Sequence, residues 1–209
     1  MDLFDGKGHS FQGVISGFEN GRLAVRLERA VSSASLPVEI TLAVSVIKPE
    51  RMDILVQKAS ELGVRAIVPL LTERSVIKLS QERWESKVKR WRRIALESCK
   101  QCGQPLLPQV EGVQDLKTFM RSAAAYDQIL IPTLTVPGGT LYNTLLKLEP
   151  KKLLVLIGPE GDFTPGEVEA ARGYGAIPVS LGPLVLRSET AAVYLLSSLN
   201  FFYREVAGK

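Results

Sequence analysis

An α/β fold with a parallel sheet and helices on both faces is predicted by three features of this 209-residue chain. Continuous apolar runs at 38–47, 66–71, 128–131, 153–157 and 177–181 suit strands covered on both faces. Segments with apolar residues at helical spacing separate most of those runs. That alternation is the pattern of a parallel sheet. The length fits one ordinary domain, or one domain with a small appendage.

The elements follow in order. Residues 10–17 and 22–29 read as short alternating strands, and Asn20-Gly21 between them is a tight-turn signal. A Ser/Ala-rich stretch at 31–37 reads as a connector. Two strands bury little surface, so residues 1–36 are expected to be part of a module. After the first buried strand, Met52, Leu55, Val56, Ala59 and Leu62 form a helical stripe ended by Gly63. Trp84, Val88, Trp91, Ala95 and Cys99 mark a longer helix over 82–99. Further helices are predicted at 116–124, 141–148, 165–174 and 189–206, the last apolar enough to dock or to serve an interface. The helix at 165 has a capping threonine, Thr164, a proline at its first position and Glu167 at its third. Ser188 or Thr190 is expected to cap the last helix.

Composition narrows the function. Hydrophobic residues at 45% and charged residues at 23% are ordinary globular usage. No apolar run approaches the roughly 18–20 residues of a membrane helix, and the opening lacks a signal-peptide core. A cytoplasmic protein without membrane contact is expected. Two cysteines and one histidine exclude a disulfide framework and leave no basis for a metal site. Cys99 and Cys102 have C-x-x-C spacing without a second pair, and read as ordinary helical cysteines. The first hundred residues hold 17 Lys/Arg against 12 Asp/Glu, and the remainder 9 against 10. The excess is concentrated in Arg83, Lys87, Lys89, Arg90, Arg92, Arg93 and Lys100, a cluster that suits either a phosphate backbone or a solvated helix face.

Chemistry is sought at the carboxyl ends of the last three strands, where parallel sheets bind ligands. Ile131-Pro132-Thr133 stops one strand. Ile157 leads into Gly158-Pro159-Glu160-Gly161, whose glycines allow close approach to the main chain. It is neither a P-loop nor a dinucleotide fingerprint. Leu181-Gly182-Pro183-Leu184-Val185-Leu186-Arg187-Ser188-Glu189-Thr190-Ala191 follows the last strand. Arg187 has no structural duty there and suits a phosphate or carboxylate.

The ordered set Lys48-Pro49-Glu50-Arg51-Met52, Gln57-Lys58-Ala59-Ser60-Glu61-Leu62-Gly63-Val64, Thr72-Glu73-Arg74-Ser75, Lys100-Gln101-Cys102-Gly103, Gly158-Pro159-Glu160-Gly161 and Leu181-Gly182-Pro183…Leu186-Arg187-Ser188-Glu189-Thr190 resembles the bacterial small-subunit ribosomal RNA uridine-N3 methyltransferases (RsmE type). The resemblance covers residues 38–206. It implies a SPOUT domain at 37–209 with a C-terminal trefoil knot, preceded by a partial PUA-like β segment at 1–36. It implies a homodimer acting on ribosomal RNA or the small ribosomal subunit. It also implies S-adenosyl-L-methionine as cofactor, held by Ile131, Pro132, Ile157, Gly158, Pro159, Glu160, Gly161, Leu181, Gly182, Leu186, Arg187, Thr190 and Ala191. Arg187 and Glu189 are the implied catalytic pair, with Glu160 a second candidate base, and Arg74, Lys87, Arg90, Arg93 and Lys100 are expected to bind RNA. The chain departs from the family pattern at Gln104 and Leu184, where arginine is usual, and at Asp162, where glycine is usual. Three other readings fit part of the pattern: a SPOUT enzyme acting on transfer RNA, a non-catalytic RNA-binding homologue, and a doubly wound nucleotide-binding enzyme.

Overall fold

The computed structural model describes residues 1–31, 36–75, 77 and 79–206. Its architecture follows from one strand, Lys152–Ile157 (β10), in which every residue from Leu153 to Ile157 is buried. Side chains alternate across a strand, so Leu153, Val155 and Ile157 join the core on one face while Leu154 and Leu156 join that on the other. Each such side chain contributes about 1.5–3 kcal/mol by leaving water. A strand with two apolar faces must be covered twice.

Seven further strands complete this sheet: Glu39–Ser45 (β4), Ala66–Leu71 (β5), Gln109–Val110 (β6), Gln114–Asp115 (β7), Gln128–Pro132 (β8), Gly139–Thr140 (β9) and Ala176–Ser180 (β11). Their order is β6-β5-β4-β10-β8-β11-β9, with β7 also pairing β5, and each pairing is parallel. Helices Pro49–Glu61 (α1), Gln81–Cys102 (α2), Leu141–Leu145 (α4) and Ser188–Phe201 (α6) contribute to one core. Helices Leu116–Met120 (α3) and Pro165–Gly173 (α5) cover the opposite face. The α/β class is as predicted.

Residues 1–31 form a separate antiparallel sheet, Asp2–Phe4 (β1), Ser10–Glu19 (β2) and Arg22–Val31 (β3). Asn20 and Gly21 both have positive φ, as the Asn-Gly turn requires. Backbone hydrogen bonds dock this segment on the main domain, from Leu107 N–H to Gly6 O at 3.0 Å and from Gly8 N–H to Pro105 O at 3.1 Å. Of the expected connector, residues 32–35 lie outside the described residues.

Several boundaries moved for local reasons. α1 begins at Pro49, before the apolar stripe, because proline suits the first helical position while Glu50 and Arg51 are polar. α2 runs on to Cys102 and stops where Gly103 turns left-handed at φ 73°. The helix expected at 116–124 breaks into α3 and a 3-10 turn at Ala123–Ala125. Between them the Ser122 hydroxyl and N–H both donate to Phe119 O. No side chain caps α6. Arg187 is its N-cap, while Ser188 is its first helical residue and is buried, so neither Ser188 nor Thr190 plays the predicted part. The helix then widens into a π turn at Phe202–Val206.

The two cysteines have different surroundings. Cys99 is buried, and burial pushes its thiol up to about 12, whereas Cys102 is exposed. A thiol reacts as the thiolate, so Cys99 stays inert at pH 8. Alkylation of the native protein at pH 8 is expected to add one label, on Cys102, and a second only after unfolding, as read by intact mass and peptide mapping.

Candidate functional site

Three segments leave the carboxyl ends of β8, β10 and β11 and meet around a cleft. The end of β8 supplies Pro132, and the end of β10 supplies Ile157, Gly158, Pro159 and Glu160. From the segment after β11 and the start of α6 come Leu181, Gly182, Leu186 and Ala191. Nine of the residues expected to hold a cofactor therefore line one space.

Four of them do not. Ile131 is fully buried on the other face of the sheet, in the core with Phe163 and Val168, because Pro132 is the alternate residue. Gly161 turns its carbonyl outward to accept from Arg74. Thr190 is exposed on α6. Arg187 is exposed at the α6 N-cap; its carbonyl accepts from the Ala191 N–H at 2.7 Å, while its side chain has no hydrogen bond or ion pair among the described residues. The glycines have distinct reasons. A Cβ on Gly158 would lie 3.1 Å from the Phe163 ring, and Gly182 has φ 115°.

The walls are fastened by side chains whose distant partners local pattern did not show. Asp162, itself at φ 59°, accepts from the Thr133 hydroxyl at 2.8 Å, the Leu134 N–H at 2.7 Å and the Thr135 hydroxyl at 3.2 Å through Oδ2. Its Oδ1 accepts from the Phe163 N–H at 2.7 Å. The buried Glu167 carboxylate closes the predicted capping box on the Thr164 N–H at 2.9 Å and also accepts the Glu73 N–H at 2.8 Å. The Arg74 guanidinium donates to the carbonyls of Gly161 and Phe163. Loops 72–75, 133–135 and 158–163 are thus one hydrogen-bonded body. Sequence spacing hides these links, since the Asp162 partners before it lie 27–29 residues away.

The two candidate carboxylates have different settings. Glu160 lines the cleft. Glu189 does not: its side chain is only 15% exposed and faces Arg51 of α1, with Oε1 3.7 Å from Nε. Arg51 Nη1 also donates to Glu160 Oε1 at 3.3 Å. Glu189 Oε2 is buried and has no hydrogen-bond partner. Of the two, Glu160 is the one a ligand in the cleft would meet; Asp162 also lines it, with its oxygens taken up by the loop hydrogen bonds.

Among the residues expected to bind RNA, Arg74 serves the loop as described. Arg90 pairs with Asp53 at 2.8 Å, which holds its guanidinium above the ordinary value, and Lys100 pairs with Glu97 at 2.8 Å. Lys87 and Arg93 have no ion pair among the described residues, and Arg93 is fully on the surface side of α2.

Comparison with known proteins adds the family. Residues 34–200 match the RNA methyltransferase domain family. The ribosomal RNA small subunit methyltransferase E of Buchnera aphidicola is 30% identical over 176 residues, covering 84% of this chain and 68% of that protein. The chain belongs to this methyltransferase family. A Legionella pneumophila structure described as a methyltransferase with bound cofactor SAM matches with a TM-score of 0.84 and 35% identity, over 95% of this chain and 81% of the other. The ribosomal RNA small subunit methyltransferase E of Neisseria gonorrhoeae, bound to S-adenosyl methionine, matches with a TM-score of 0.86 and 27% identity, over 97% and 83%. The chain spans about two thirds of the length of the curated relatives it matches.

Asp162 follows Gly158-Pro159-Glu160-Gly161 at the position where the resemblance implies glycine. It keeps the left-handed backbone that glycine adopts readily and adds a carboxylate that ties two loops together. Asp162→Gly is therefore expected to lower stability by about 1–3 kcal/mol through the lost acceptor. Asp162→Ala should cost about 1 kcal/mol more, because alanine is strained at this φ. Urea unfolding of the three proteins measures both terms, and equal stability of the alanine and glycine variants contradicts the assignment of strain.

Proposed function

We propose that this chain transfers a methyl group from S-adenosyl-L-methionine to N3 of a uridine in small-subunit (16S) ribosomal RNA. The observation that carries the reading is the convergence of the ends of β8, β10 and β11 on one cleft, in a chain of this family. The residues fit such a cofactor by shape and donor set. Ile157, Leu181 and Leu186 offer an apolar wall for an adenine ring. The glycines at 158 and 182 keep side chains away from the main chain there. Similar proteins carrying bound SAM support the same reading.

When bound, S-adenosylmethionine supplies an electrophilic methyl group. The chain's part is to hold a uridine against the cleft mouth in line with that methyl, which lowers the barrier through orientation. N3 must also lose a weakly acidic proton. Arg187, at the start of α6 and with its side chain unpaired among the described residues, is suited to steady negative charge on a uracil oxygen. Glu160 is the carboxylate positioned to accept the proton, since Glu189 is turned toward Arg51. A base in folded RNA must leave its stack to enter such a site. Lys87 and Arg93 on α2, with Arg74, Arg90 and Lys100, are proposed to meet the RNA backbone.

Residues 37–209 are proposed as a SPOUT domain and 1–36 as part of a PUA-like module. The chain leaves β11 on one side of β8, yet α6 packs on α1 and β10 on the other side. That crossing supports a C-terminal trefoil knot. A homodimer is supported by apolar residues left in water beside the cleft and on α6: Leu184, Val185, Tyr194 and Phe201. No described helix is long and apolar enough to cross a membrane, and a cytoplasmic setting with the ribosome is proposed.

The reading is tested by labelled methyl transfer to small subunits that lack the modification, followed by nucleoside analysis. Labelled 3-methyluridine is the expected product, and its absence with a cofactor-binding protein rejects the assignment. In the same assay Arg187→Ala is expected to lower methylation by about a hundredfold, while calorimetry shows S-adenosylmethionine affinity within about threefold of wild type. Equal loss of both would make Arg187 a cofactor ligand instead.

A further inference from the structure

We propose that Arg51 is a positioning residue of the cleft, acting through Glu160. Arg51 stands in the first turn of α1 and does not line the cleft. Its guanidinium lies between two carboxylates from different elements, one lining the cleft and one behind it. Nη1 is 3.3 Å from Glu160 Oε1, on the loop after β10, and Nε is 3.7 Å from Glu189 Oε1, at the start of α6. The side chain is only 27% exposed and Glu189 only 15%, so this is not a solvent-screened surface pair. Glu189 Oε2 is buried without a hydrogen-bond partner. Such a carboxylate needs a nearby cation to remain in place.

A guanidinium suits this task and an ammonium does not. Its planar fork presents several donors at fixed angles, so one group can face two carboxylates at once. Arg51 thereby sets the distance between loop 158–162 and the α6 start, and orients the Glu160 side chain at the cleft. Without it, Glu189 stays buried with no counter-charge, and the Glu160 loop loses its tie to α6. Arg51 itself touches neither the space nor what occupies it, so its effect on binding in the cleft is transmitted through the wall it holds.

This inference rests on reading the cleft as the S-adenosylmethionine site, and the experiment separates the two. The full chain is titrated with S-adenosylmethionine by calorimetry, and methylation of unmodified small subunits is followed at varied cofactor. Arg51→Ala is expected to weaken cofactor binding and raise its KM about tenfold, the scale of a lost charged hydrogen bond. In calorimetry, Glu160→Ala added to Arg51→Ala should weaken S-adenosylmethionine binding no further, since both break the same link. Arg51→Lys should restore only part of the affinity. Arg51→Gln combined with Glu189→Gln removes the buried charge and keeps the fold, and should show the same tenfold weakening. Unchanged affinity in folded variants, affinity losses that multiply in the double variant, or a fall in kcat at constant KM would each overturn the proposal. A wild-type chain that binds no S-adenosylmethionine would instead overturn the cofactor reading beneath it.

Discussion

The Asp162 carboxylate takes hydrogen bonds from Thr133, Leu134, Thr135 and Phe163, and by doing so fixes the end of β8 against the loop after β10. Parallel strands only bring such loops to the same end of a sheet. They do not fix the gap between them. A half-buried carboxylate with four donors does, because each donor would be left unsatisfied if the loops parted. Glu167 repeats the device one loop further on, joining the α5 cap to the Glu73 amide. The cleft floor is thus rigid on the side of β5, β8 and β10. Its other side, after β11, is held mainly by the attachment of α6 to α1.

Asp162 also bears on how a departure from a family pattern should be read. Replacing glycine by a side chain in a left-handed turn costs backbone energy, and aspartate is among the residues that tolerate it. Here the side chain returns that cost through its acceptors. Leu184 is different, because an apolar group there stands 73% exposed beside the cleft. Gln104 lies elsewhere, near Gly63 at the opposite end of the strands from the cleft. The three departures therefore have no common effect.

The sheet was legible in the sequence because burial on both faces forces an unbroken apolar run, as in Leu153 to Ile157. The long helices were legible from Met52, Leu55, Val56 and Ala59, and from Trp84, Val88, Trp91 and Ala95, all of which are buried. Two-residue strands such as Gln109–Val110 carry no period and could not be read. The three strand-end loops were legible as places, since glycine and proline mark them. What joins them was not. Arg51 and Glu160 lie 109 residues apart, and Glu189 has the sequence position of a helix-end charge although its side chain serves an ion pair. Local pattern reports which residues can turn or cap; it is silent on which distant partner they meet. The basic cluster shows the same limit, because Arg90, Arg92 and Lys100 are engaged by Asp53, the Val110 carbonyl and Glu97. The uncompensated charge on α2 is smaller than the linear count implies.

The chemistry of the cleft changes from its floor to its mouth. Ile157 and Leu186 with the glycine main chain make an interior suited to a flat, weakly polar group. Glu160 brings a charge to the cleft, and Arg187 stands exposed at the α6 N-cap next to Leu186. Arg51 restrains the first of these, and nothing within the described chain restrains the second. An arginine with no counter-ion in water is cheap to leave free, and its donors remain available to an incoming anion or carbonyl. Leu184 and Val185, more than 70% exposed, stand next to it and gain from being covered. The segment at 184–187 thus combines an unpaired cation with uncovered apolar surface, while the opposite wall is fully hydrogen-bonded within one chain. Affinity for a small ligand can reside in the fixed wall, and the open one keeps donors and apolar surface for the partners proposed above.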